Sequence, residues 1–89
     1  MEKNELYITV GVKNTVPPMV IALMIEMAME VEEKDYLQVF RVSVRDGFSI
    51  IKLIQEVPIY ERSIKISWVP EHDLKLFFMD NVFMLAEEY

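Results

Sequence analysis

His72, the chain's one histidine, stands between Glu71 and Asp73. An imidazole with two carboxylates is a donor set for a hydrolytic metal ion. Three consecutive side chains in a loop cannot all converge on one ion without bulges, however, and the local sequence offers no group to orient them. A solvated loop histidine is the simpler reading. The acids Glu30, Glu32, Glu33 and Asp35 are equally weak as an acid–base pair, which needs two carboxyls held around a pocket with separated pKa values. The four serines, Ser43, Ser49, Ser63 and Ser67, have no histidine close in sequence. With two glycines there is no nucleophile elbow, phosphate-cradling loop or dinucleotide fingerprint. Cysteine is absent, which removes thiolate zinc sites, disulfides and cysteine nucleophiles. The expectation is a protein that is not an enzyme and carries no metal and no cofactor.

Cations offer a different chemistry. Arg41, Arg45 and Lys52 fall on one face of a hairpin together with Phe48, and basic side chains beside an aromatic ring are how some sheets hold single-stranded nucleic acid. Against this stands a net charge of -6, from fifteen acidic and nine basic residues. That sign opposes general phosphate-backbone binding. A local basic patch remains compatible with it, but the expected partner is a protein or a second copy of the chain.

These residues must be positioned by a single unit. A length of 89 residues with 53% hydrophobic content allows one domain, residues 1-89, around one core. A core this small leaves apolar excess that commonly ends in an oligomer interface. The acidic start "MEKNELYITV" lacks the basic-then-apolar layout of a secretory signal, which predicts a cytoplasmic protein. The apolar stretch Met19 to Ile25 is too short to span a membrane.

Alternation predicts a strand over Leu6 to Val12. "KNTVPP" then breaks it, with Asn14 or Thr15 as N-cap and prolines in the first turn of a helix from Pro17 to Glu33. Val20, Leu23, Met24, Met27 and Val31 form its apolar stripe, widened by Ile21, Ile25 and Ala28. Acidic residues crowd its C-terminal end, unfavourably for the helix dipole, so a basic group such as Lys34 should lie close by. Beyond Asp35 the apolar period becomes two. Asp46-Gly47 predicts a type I′ hairpin turn that pairs Arg45 with Phe48, Arg41 with Lys52 and Val39 with Ile54. One face, centred on Phe40, Val42, Ile51 and Leu53, then covers the helix. Its reverse still carries Leu37, Val39, Phe48, Ile50 and Ile54.

Further strands follow over "IYERSIKISWV" and on both sides of Asp80-Asn81, where Phe77, Met79, Val82 and Met84 again occupy the reverse face. The resulting fold class is α+β: an antiparallel sheet with one long helix packed on it, in the order β-α-β-β-β-β-β.

Three segments, "DYLQVF" (Asp35 to Phe40), "QEVPIY" (Gln55 to Tyr60) and "MLAEEY" (Met84 to Tyr89), resemble the staphylococcal domain-of-unknown-function family numbered 960. Its members are small proteins of low-GC Gram-positive bacteria and their mobile elements. The resemblance implies that fold and a bacterial or phage setting, but transfers no catalytic or binding residue.

Two functional expectations follow. One is a homodimer or protein-binding module whose interaction surface is Leu37, Val39, Phe48, Ile50 and Ile54. The other is an acidic inhibitor from a mobile element that blocks a nucleic-acid-binding protein with Glu26, Glu30, Glu32, Glu33 and Asp35 as a phosphate-like array.

Overall fold

The computed structural model describes residues 5–89. The elements are β1 (Tyr7–Ile8), α1 (Val10–Thr15), α2 (Pro18–Met29), β2 (Leu37–Arg45), β3 (Phe48–Glu56), β4 (Ile59–Ile66), β5 (Leu74–Met79) and β6 (Val82–Leu85), with a closing 3₁₀ turn at Ala86–Glu88. The class is α+β, as expected, with two corrections to the architecture. Two helices replace the single long one, and the six-stranded sheet is mixed. Its order is β1-β6-β5-β2-β3-β4, antiparallel throughout except for β1 beside β6.

The expected strand over Leu6 to Val12 is only Tyr7–Ile8, because the chain turns helical at Val10. Alternating Ile8, Val10 and Val12 fit a strand, but Thr9 caps a helix instead, its hydroxyl accepting from the Val12 N–H at 3.3 Å. Asn14 and Thr15 therefore end α1 rather than capping α2. The residue before α2 is Pro17, with Pro18 in the first turn, where a missing N–H costs nothing.

α2 stops at Met29, four residues short of Glu33. Acids beyond its C-terminus oppose further growth of the dipole. The anticipated basic groups are present: Lys34 Nζ donates to the Val31 carbonyl at 2.8 Å, and Arg62 of β4 pairs with Glu30. Val20, Ile21, Met24, Met27 and Ala28 are the buried residues of α2.

β2 and β3 pair in the predicted register, Val39 with Ile54 through Arg45 with Phe48. The turn itself differs. Gly47 takes a positive φ of 79°, but Asp46 does not, whereas a type I′ turn requires both. Asp80 and Asn81, at φ 53° and 61°, supply that double left-handed geometry in the β5–β6 turn.

The core lies between the helices and one face of the sheet. Phe40, Val42, Ile51, Leu53, Leu76 and Phe83 are essentially sealed from solvent. Phe40 meets Phe83 edge to face, with centroids 5.5 Å apart. Gln38 and Gln55 are buried with them. Gln38 Nε2 donates to Gln55 Oε1 at 3.0 Å, and Gln55 Nε2 donates to the carbonyls of Glu33 and Pro58. These bonds tie the loop after α2 and the β3–β4 turn to the sheet.

Candidate functional site: the outer face of the sheet

Strand alternation sends every second side chain away from the helices. On that outer face Met84, Phe77, Val39 and Ile54 are successive partners across β6, β5, β2 and β3. Val82, Met79 and Leu37 form the neighbouring row. All seven are half-buried, shielded by one another and by flanking side chains. The C-terminal Tyr89 stands edge-on to Phe77, with centroids 5.8 Å apart. The result is an apolar band four strands wide.

The next row is cationic. Arg41 of β2 faces Lys52 of β3 on one side and Lys75 of β5 on the other. Lys52 pairs with Glu61 at 3.1 Å; among the described residues Arg41 and Lys75 have no ion-pair partner. Beyond this row lie Ile50 opposite Lys65, and Arg45 opposite Phe48. Lys65 Nζ sits 4.3 Å above the Phe48 ring, and Lys75 Nζ lies 5.6 Å from that of Phe77.

The five residues read from sequence as an interaction surface all lie on this face, but not as one patch. Leu37, Val39 and Ile54 belong to the apolar band, whereas Phe48 and Ile50 lie beyond the Arg41–Lys52 row. β5 and β6 complete the band with Phe77, Met79, Val82 and Met84. The alternation had put these on the reverse side of their own hairpin, but only the pairing of β5 with β2 makes them continuous with Val39. Lys75 and Lys65 enter the cationic region for the same reason, through β5 and β4.

The second expected surface is divided by local bonding. Glu26, Glu30, Glu32 and Glu33 are exposed around the end of α2. Glu30 is engaged by Arg62. Asp35 is half-buried, its carboxylate accepting from the N–H of Tyr36 at 2.8 Å and of Val57 at 3.2 Å. These five acids therefore do not form one free array.

His72 is exposed, with Nδ1 2.9 Å from the Asp73 carbonyl oxygen. The Asp73 carboxylate turns elsewhere and accepts from the Val44 N–H at 2.9 Å. Among the described residues no cluster of His, Asp or Glu could hold a metal ion.

Glu88 is the structural carboxylate that sequence inspection misses. It accepts from the Thr9 hydroxyl at 2.7 Å, the Leu85 N–H at 2.8 Å and the Gly11 N–H at 3.2 Å. The Thr9 bond first, then those from Leu85 and Gly11, hold its pKa below the ordinary carboxylate value. This ties the chain's C-terminal turn to the start of α1. A capping signal was present in Thr9, but its partner lies 79 positions away.

On the helix side, Ile8, Val16, Pro18, Ile21, Ala22 and Ile25 line an apolar groove of about 480 Å³. Ala22 is exposed there and Ile25 only half-buried, so part of the wide apolar face of α2 is left uncovered. Among the described residues no helix is long and apolar enough to cross a membrane.

No family model, no curated protein and no solved structure matches this chain.

Proposed function

We propose that this chain is a small cytoplasmic interaction module that works by binding rather than catalysis, and that it self-associates through the outer face of its sheet. The observation that carries this reading is the apolar band of Met84, Phe77, Val39 and Ile54, with Val82, Met79 and Leu37 beside it. Contiguous apolar area uncovered on a small domain marks an interaction site, and a second copy supplies a matching surface across a two-fold axis. We also retain membership of the staphylococcal family as a proposal resting on the three resembling segments. It assigns no activity.

The test is solution mass by light scattering for the wild type and for Val39→Glu combined with Ile54→Lys. The reading predicts a wild-type dimer and a variant whose dissociation constant rises tenfold or more, equivalent to about 1.4 kcal/mol. A wild type that stays at its monomer mass of 10.5 kDa at all concentrations would refute it.

A further inference from the structure

Arg41 is flanked by a like charge on both sides. In a sheet, residues directly opposite one another are close neighbours, and like charges there destabilise the pair. Here the arrangement occurs twice in one row, Lys75–Arg41–Lys52, across three adjacent strands. Glu61 relieves only the Lys52 end. With Arg45 and Lys65, the outer face holds five of the chain's nine basic residues, although the molecule as a whole carries -6. A bound anion would convert this repulsion into attraction.

The shape of the region narrows the anion. Arg41 and Lys75 line a cleft of about 260 Å³, whose wall also includes Tyr36, Leu37, Val39 and Ile54. Asp35 and Glu56 also line this cleft, the Asp35 carboxylate being held by the N–H groups of Tyr36 and Val57. Phe77 lies two residues from Lys75 on one side of the cation row. Phe48 lies on the other, about 20 Å away at the usual rise per strand residue. Cations in the middle strands of a sheet, with aromatic rings on both sides, are the layout that holds a phosphodiester backbone while bases stack. An acidic protein segment would need the cations but not the rings.

We propose that the outer face of the sheet is a binding site for single-stranded nucleic acid, its phosphates held by Arg41 and Lys75 and its bases packed against Phe48 and Phe77. The proposal does not rest on self-association: Arg41, Lys75 and Phe48 lie outside the apolar band, whereas Phe77 is shared with it, so an oligonucleotide and a second copy of the chain would exclude one another there; the variants below leave the band intact.

The experiment is fluorescence anisotropy with a labelled single-stranded oligothymidine of about fifteen nucleotides, against labelled polyglutamate of similar length as the acidic-protein arm. Saturable oligonucleotide binding is expected, weakening about twenty-fold between about 50 and 200 mM salt if roughly three phosphates are neutralised. Arg41→Gln with Lys75→Gln should weaken it tenfold or more and flatten the salt slope, with an unchanged circular dichroism spectrum. Phe48→Leu should weaken it while leaving the slope as it was. No anisotropy change at low salt, equal binding by the double variant, or tighter binding of polyglutamate than of the oligonucleotide would each overturn the proposal.

Discussion

Gln55 uses both amide hydrogens and its carbonyl beneath the loop that follows α2, and at 2% exposure it has no water to fall back on. Replacing it with Leu would leave the Glu33 and Pro58 carbonyls and the Gln38 amide short of partners. A loss of about 2–3 kcal/mol of unfolding free energy is expected, read by urea denaturation. Glu88 makes a different, pH-dependent contribution. Because its folded pKa is depressed, its stabilisation is present above the unfolded carboxylate value and is lost as pH falls through the lower folded value. Glu88→Gln should therefore lower the urea midpoint at pH 7, and the gap from wild type should close in acid. Equal midpoints at pH 7 would show that the Thr9–Glu88 bond carries no weight. Gly11 belongs to the same contact, since a Cβ there would meet the Glu88 carboxylate. Gly11→Ala should therefore displace the Glu88 carboxylate and remove the pH-dependent part of its contribution, offset by about 1 kcal/mol of helix propensity, while Thr9→Ala should lose both the cap and the tie. In two of the three motif segments the residues that stand out are structural: Gln38 and Gln55 form one buried network. In the third, Glu88 closes the C-terminal turn onto α1.

At the scale of elements, the turns separate what local sequence encodes from what it does not. Asn81 sits at φ 61°, where a β-branched side chain is strained. Asn81→Val should cost about 1–2 kcal/mol, whereas Asn81→Gly should be neutral or mildly stabilising by the same assay. The β2–β3 register was legible because Asp46-Gly47 and the two alternating runs agree on it. The inward set of β5 and β6, Leu76, Phe78, Phe83 and Leu85, was legible for the same reason. The start of the chain was not. Ile8, Val10 and Val12 satisfy a strand pattern locally, and the preference for a helix is completed by Glu88 from the other terminus. The length of α2 was misread because helix-forming residues continue to Glu33 while the accumulating negative charge at its end does not favour continuation.

For the molecule as a whole, strand order decides the surface. A hairpin-by-hairpin reading places apolar residues on the reverse face, but cannot show that β5 lies beside β2. That pairing joins Phe77 to Val39, and in the same stroke sets Lys75 against Arg41. The outer face is therefore part apolar and part basic, whereas Glu26, Glu30, Glu32 and Glu33 lie at the exposed end of α2. Apolar association should persist at high ionic strength, since screening acts on exposed charges and not on buried hydrocarbon. The self-association constant should change by no more than a few-fold between about 0.1 and 1 M salt, measured by sedimentation equilibrium.

The most direct test of the central claim is a concentration series of two-dimensional amide NMR spectra on the wild type. Shifts that move with concentration should cluster at Val39, Ile54, Phe77 and Met84 on the outer face and spare Met19 and Ala22 of α2. Concentration-dependent shifts confined to the helices or to β4, or none at all, would contradict an outer face built for association.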